Sequence, residues 1–277
     1  MLDYLKNSFN FKILKSSFKS KEFTPIVESL HKKYLHNEDP WGLNIKKSIN
    51  SLENIYPIYK HYFKTRVFGQ ENVQDKPYMV VSNHTGQIAI DGMLICSAFV
   101  LDVFPPRILR PMVERFFTSI PFLGAWAAEG GSVLGDRQNC ISLLEKGQSI
   151  LVFPEGVKGI AKSTKDFYQL QNFTKGFYRI CAQLGVEILP ISVIGAEEFF
   201  PFVYQAKSIA KAVGLPALPI SANFLPLPSP IDIHIGKPIS IPPELTQDSS
   251  DNEINQEVKN IEETIQEMIK QGLKKRR

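Results

Sequence analysis

Long apolar runs are missing from this chain. No stretch reaches the roughly 18 residues that a membrane-crossing helix needs. The longest candidate, Met93 to Leu101, is interrupted by Ser97 and bounded by Asp91 and Asp102, and reads as a buried helix. Cysteine is scarce: Cys96, Cys140 and Cys181 are widely spaced and form no C-x-x-C pair. That spacing excludes a zinc signature and a disulfide framework, and it points to a reducing compartment. Neither sign of charge is in large excess. Lys plus Arg number 32 and Asp plus Glu 28, so the net charge of the 277 residues is only +4. So small a surplus does not argue for a nucleic-acid partner, and none is expected. The first residues lack an apolar core followed by a small-residue cleavage site, so no signal peptide is expected.

What is present is an ordinary globular mixture, 43% hydrophobic and 22% charged, with an uneven charge distribution. Residues 1–66 hold 12 Lys/Arg against 6 Asp/Glu, a local +6, and the remainder hold 20 against 22, or −2. A basic front on a near-neutral body suggests that one end meets an anionic surface. Leu2, Leu5, Phe9 and Ile13 recur at helical spacing among Lys6, Lys12, Lys15, Lys19 and Lys21. That pattern fits either a helix lying in a membrane interface or an amphipathic helix packed on its own domain. A second helical stretch is expected from about Pro40 to Phe63.

From Thr65 onward short apolar runs alternate with helical ones. Tyr78–Ser82, Ser149–Phe153, Ile188–Ile194 and Ile231–Gly236 read as strands. About Gly92–Val103, Arg137–Lys146 and Lys175–Leu184 read as helices. The alternation predicts an α/β fold with a mixed, partly parallel sheet flanked by helices. Five prolines between Val213 and Pro230 exclude a regular element there. Ile254, Val258, Ile261, Ile265 and Met268 make a C-terminal amphipathic helix that should end at Gly272 before a basic tail, Lys-Lys-Arg-Arg, read as a solvated helix end. The expected organisation is thus a helical, basic region 1–64, an α/β domain 65–245, and a C-terminal helix and tail 246–277.

Four blocks could carry chemistry. Ser82–Gly92 (SNHTGQIAIDG) sets Asn83-His84 at a strand's carboxyl end, where open α/β sheets place reacting groups. An imidazole there with Asp91 downstream is the wiring of a general base oriented by an acid. Asp91 has a plainer reading as the N-cap of the next helix. Glu129–Arg137 (EGGSVLGDR) brings small residues and an Arg to a helix start, a combination suited to phosphate. Its plainer reading is a turn with an exposed Arg, and Ser132 is not a nucleophile elbow because G-x-S-x-G fails at Leu134. Val152–Gly156 (VFPEG), followed by Lys158 and Gly159, delivers Glu155 to another strand end. Glu187–Gly195 is an apolar strand whose Pro190 should sit at an edge or bulge.

In this order the four blocks resemble the glycerol-3-phosphate/lysophospholipid acyltransferase family, over about 60% of the chain from Arg66 to Gly236. Asn83, His84 and Asp91 match the family's Asn-His-x4-Asp block. Gly131 and Arg137 match its Gly-x5-Arg block, Phe153–Gly156 its Phe-Pro-Glu-Gly block, and Pro190 its apolar strand. The resemblance implies a glycerol-3-phosphate acyltransferase-like α/β fold and transfer of an acyl group from a thioester, acyl-CoA or acyl carrier protein, to a lysophospholipid or other glycerolipid hydroxyl. It implies catalytic roles for His84 and Asp91, and substrate-binding roles for Thr85, Gly131, Ser132, Arg137, Pro154, Glu155, Gly156 and Lys158. Arg137 and Lys158 would hold the acceptor's phosphate, and Glu155 would contact its glycerol. No metal or other cofactor is implied. With no span visible, peripheral attachment to the inner face of a membrane is expected, in the cytoplasm. A thioesterase or lipase using water as acceptor and a non-catalytic lipid-binding module are the competing readings.

One departure from the family pattern is structural. Six residues, not four, separate His84 from Asp91. On one continuous helix these positions would lie about 10 Å apart along the axis. The segment Thr85–Ile90 must therefore loop if the two side chains are to meet.

Overall fold

The computed structural model describes residues 23–34, 39–85, 90–118, 122–201, 203–205, 219–221, 223 and 225–276. The basic stripe from Leu2 to Ile13 lies outside the described residues. Two helices come first, α1 (Thr24–Tyr34) and α2 (Ile45–Pro57), the second continuing into a π-helical turn at Ile58–Tyr62. The next elements are β1 (Arg66–Phe68), β2 (Met79–Ser82), α3 (Ile90–Leu101), β3 (Arg110–Val113), α4 (Arg115–Thr118), α5 (Leu123–Glu129) and β4 (Val133–Leu134). They are followed by α6 (Arg137–Glu145), β5 (Ile150–Val152), α7 (Val157–Ile160), α8 (Gly176–Leu184) and β6 (Ile188–Ile194). The short β7 (Val203–Gln205) and β8 (Pro219–Ser221), then β9 (Asp232–Ile235) and α9 (Asp251–Arg276), follow, with 3₁₀ turns at Gln70–Asn72, Thr164–Asp166 and Ala196–Phe199 between the elements.

Seven strands form one sheet in the order β1-β9-β6-β2-β5-β3-β4. Every pairing in it is parallel except β6 with β9. The sheet is thus mixed and mostly parallel, as the alternation predicts. β7 and β8 form a separate antiparallel pair, so three residues inside the proline-rich segment are regular after all. Their strand is short and opens on Pro219, a position that strand geometry tolerates.

Side-chain alternation divides the core. Val80, Leu151, Leu189 and Val193 point to a face covered by α3 and by Tyr59 and Phe63 at the end of α2. Met79, Val81, Ile150 and Ile188 point to the other, covered by α6, α8 and α9. Both faces are filled, so the central strands read as continuous apolar runs. The N-terminal helices close a third cluster, in which Leu30, Ile45, Ile49 and Leu52 meet Val100 and Ile108. A fully buried Arg110 secures that region: its guanidinium pairs with Asp39 at 2.5 Å and donates from Nε to the carbonyl of Gly131 at 2.8 Å.

Two expectations change in detail. Pro190 lies in an interior strand, opposite Val81 of β2, so the edge alternative fails. The bulge alternative does not hold for Pro190 itself: between the Ile188–Ile239 bridge and the Ile191–Ile235 pair the extra residue lies in 236–238, across from Pro190. In α9 the buried stripe runs through Ile269 rather than Met268, and the helix continues past Gly272 to Arg276. Gly272 is a close-approach residue, not a cap, because a Cβ there would meet Ile194 Cδ1 at 2.1 Å. Arg276 is not a solvated end either, since it donates to Glu198, Ser229 and the Pro230 carbonyl.

Candidate active site

β2 and β5 run parallel and end side by side, so their carboxyl ends deliver Asn83-His84 and Phe153–Glu155 to one edge. Asn83 is buried and clamps the strand after β2 to β6: its amide donates to the Val193 carbonyl at 3.0 Å and accepts from the Val193 N–H at 2.8 Å. β2 ends at Ser82 and α3 starts at Ile90, so His84 and Asp91 do not share a helix. His84 Nδ1 lies 2.8 Å from Asp91 Oδ2.

Asp91 is fully buried, and its oxygens accept from the Thr85 N–H at 2.8 Å and the Gly92 N–H at 2.8 Å besides the imidazole. It lies within the first turn of α3, and its carboxylate is directed to His84 rather than capping the helix. The bond to a carboxylate holds the proton on Nδ1 and leaves Nε2 as the free lone pair, the tautomer a general base needs. The His84 ring is 12% exposed and stacks on Phe153 with centroids 4.1 Å apart and planes 18° from parallel.

The main chain of His84 is held as tightly as its ring. Its N–H donates to Glu155 Oε1 at 2.8 Å, and its carbonyl accepts from Lys162 Nζ at 3.2 Å. Glu155 also accepts from the Gln171 N–H at 2.7 Å and pairs with Lys162 at 3.0 Å. A second buried carboxyl, Glu197, lies 3.6 Å from the same ammonium and accepts from the Tyr168 N–H. One ammonium thus faces two carboxyl groups in a buried site. Burial pushes the Glu197 carboxyl up to about 7, against the opposing pull of Lys162.

His84 opens onto a large cleft of about 1070 Å³, at the upper end of the size range of small-molecule sites. Most of its wall is apolar, with Met93, Val100, Phe117 and Trp126 among the lining residues. The structure sorts the sequence-predicted residues into three groups. His84, Ser132, Arg137, Pro154 and Gly156 line the cleft. Asp91, Thr85 and Glu155 stand buried behind its wall, with Thr85 contributing its N–H and Glu155 occupied by His84, Gln171 and Lys162. Gly131 and Lys158 are outside the lining, Gly131 buried with its carbonyl on Arg110 and Lys158 exposed. Arg137 opens α6 as the motif suggests, and its guanidinium donates to Gln183 at 2.6 Å and Gln247 at 2.7 Å. Sequence reasoning missed Lys162, Glu197, the stacked role of Phe153 and the cleft-lining Arg115. Lys162 lies in a loop and Glu197 in a 3₁₀ turn at Ala196–Phe199, and only the fold brings them together.

Residues 64–194 match the family model described as Acyltransferase. Over those residues, just under half of the chain, the sequence is similar to that family. An uncharacterized protein of Mycobacterium tuberculosis is 33% identical over 79% of this chain and 64% of its own length. A chloroplastic 1-acyl-sn-glycerol-3-phosphate acyltransferase of Arabidopsis thaliana is 28% identical over 53% of this chain and 40% of its own. The chain therefore spans less than two thirds of the length of these relatives. The crystal structure of the 1-acyl-sn-glycerophosphate acyltransferase PlsC of Thermotoga maritima superposes with a TM-score of 0.54 at 19% identity, covering 94% of this chain and 95% of that one. This likeness shows the acyltransferase fold. Every block that carries the sequence resemblance except the end of the fourth lies within the matched domain.

Proposed function

We propose that the chain transfers a fatty acyl group from acyl-CoA or acyl carrier protein to a hydroxyl of a glycerolipid such as lysophosphatidic acid. The observation that carries this reading is the 2.8 Å contact of His84 Nδ1 with buried Asp91, made at the wall of a large apolar cleft. His84 Nε2 removes the proton of the acceptor hydroxyl as its oxygen attacks the thioester carbonyl. Asp91 stabilises the imidazolium that forms. The tetrahedral adduct then expels the thiolate, which takes the proton from His84, so the ester and a free thiol leave and the imidazole is neutral again.

No covalent enzyme intermediate is needed. Cys96 and Cys140 line the cleft, but burial pushes their thiols up to about 12 and about 11, far from the thiolate a nucleophile requires. Arg137 and Arg115, both at the cleft, hold the acceptor phosphate; Phe153, Pro154 and Gly156 shape the wall beside it. Glu155 and Lys162 position His84 rather than touching the glycerol.

The acceptor lies in a bilayer, so the cleft must open to one. Phe122 and Trp126, 92% and 42% exposed beside the mouth, support peripheral contact there. Among the described residues no helix is long and apolar enough to cross a membrane.

The test is acceptor-dependent release of thiol from labelled acyl-CoA, with mass analysis of the lipid product over a panel of lysolipids. Release with one or more acceptors and formation of the matching ester is the expected result. Release that does not depend on acceptor would mean hydrolysis and would overturn the reading. In Arg137→Ala the KM for a phosphate-bearing acceptor should rise about tenfold with little change in kcat.

A further inference from the structure

The Phe-Pro-Glu-Gly turn meets His84 twice. Glu155 accepts from the main-chain N–H of His84 at 2.8 Å, and Phe153 stacks on its ring with centroids 4.1 Å apart and planes 18° from parallel. The turn is closed where the Gly156 N–H donates to the Phe153 carbonyl at 2.9 Å, and the φ of Pro154 between them is fixed by its own ring. A further main-chain bond, from the Thr174 N–H to the Pro154 carbonyl at 3.0 Å, ties the turn to the segment before α8. Phe153 is thus delivered by a restrained piece of chain at the end of β5, and its side chain packs against the buried cluster that includes Leu94 and Ala98 of α3.

α3 makes room for that ring. Gly92 follows Asp91 directly, and a Cβ at Gly92 would stand 3.4 Å from Phe153 Cε2 and 3.6 Å from Cζ, so the phenyl ring lies close against the first turn of the helix. Three contacts therefore close on one another: His84 Nδ1 meets Asp91, Gly92 beside Asp91 meets Phe153, and Phe153 returns to the His84 ring. The torsion that turns an imidazole about its Cβ–Cγ bond is broad and selects no plane unaided. The bond to Asp91 fixes one corner of the ring, and the stack fixes its plane. Charge gives the stack a second consequence. A base holds its proton for part of each turnover, and the electron-rich face of a phenyl ring attracts a cation within about 6 Å, more strongly where water is excluded. Glu155 and Lys162 reach only the main chain of His84, so the groups set against its ring are Asp91 at Nδ1 and Phe153 on its face.

Resting on the reading of His84 as the base, we infer that Phe153 is a positioning residue for the reaction: its ring holds the imidazole in the plane that meets Asp91 and stabilises the imidazolium that forms. The turn after β5 then grips the base at ring and main chain together, through Phe153 and Glu155. An aliphatic side chain at 153 would fill similar space and supply neither the flat surface nor the charge-attracting face.

The test compares Phe153→Leu, which stays apolar but loses the aromatic face, with Phe153→Tyr, which keeps the ring. One readout needs no substrate: the proton resonance of His84 Nδ1 in the full chain, assigned by its loss in His84→Ala. The other is acyl-CoA turnover on the best lysolipid acceptor. In Phe153→Leu the resonance should broaden through faster exchange with water, and kcat should fall about tenfold with the KM for the acceptor within twofold of wild type. Phe153→Tyr should recover the resonance and most of kcat. An unchanged resonance or kcat in Phe153→Leu, a fall carried by KM instead, or no recovery in Phe153→Tyr would overturn the role. Should Phe153→Leu fail to fold, graded fluorination of the Phe153 ring takes its place, because it keeps the shape and draws charge from the face. Then kcat should fall with each added fluorine, and a flat series would overturn the role. Wild type that transfers no acyl group to any acceptor would refute the proposed reaction, and the resonance in Phe153→Leu would still decide this inference.

Discussion

Gly159 has no room for a side chain. A Cβ there would fall 2.7 Å from His84 Cβ and 3.0 Å from Glu155 Cβ, closer than packed carbons approach. The glycine lets α7 press against the two residues that matter most. Gly159→Ala should therefore cost about 10²-fold in kcat while leaving the fold intact, a split that circular dichroism beside the turnover assay would check. Glu197 makes a different prediction. Its folded carboxyl stays protonated up to about 7, whereas an unfolded glutamate ionises near its ordinary 4.5. Between those values the folded state holds the extra proton, so this group's stabilisation is complete below the unfolded pKa and is lost as pH rises through about 7. Relative to Glu197→Gln, wild type should lose on the order of 3 kcal/mol of stability between pH 4.5 and 7.5. Denaturant midpoints of the two proteins across that range decide it, and parallel curves would remove the assignment.

The central elements were legible because each is dictated locally. β2, β5 and β6 are apolar runs that must be buried on both faces, and α6, α8 and α9 carry stripes that fit those faces. The short strands β1, β3 and β4 were not legible, because two to four residues cannot show a period and Arg110 inside β3 looks like a surface charge. Only the fold reveals that Asp39 comes to meet it. The site divides in the same way. His84, Asp91 and the Phe-Pro-Glu-Gly turn are contiguous motifs, and the need for a loop before Asp91 followed from helix geometry alone. The role of Glu155 was not visible, since what occupies its oxygens comes from Lys162, Gln171 and the His84 N–H across the fold. Lys162→Met should leave two buried carboxyl groups without their cation and impair both folding and turnover. Lys162→Arg should recover stability better than kcat, because the longer planar group cannot reach the His84 carbonyl with the same geometry. Equal recovery of both would show that the cation's charge is all that matters.

At the scale of the molecule, one sheet carries two opposed edges with different chemistry. The carboxyl edge holds His84, Asp91 and the cleft. The amino edge holds a small cavity lined by Arg107, Asp75 and Tyr34 of α1. Under the proposed function, exposed Phe122 beside the cleft would turn this edge toward a bilayer. Replacing Phe122 by Asp should lower flotation with lysolipid-containing vesicles at least fivefold without changing turnover on a micellar acceptor; turnover lost equally on both would mean that the ring serves the cleft itself. The account's central claim is that His84 is the base for acyl transfer, and the most direct measurement compares wild type with His84→Ala in acyl-CoA turnover on the best lysolipid acceptor. A fall of at least about 10²-fold in kcat with an unchanged fold is the predicted result, in line with the usual contribution of a general base. Turnover within threefold of wild type would contradict it.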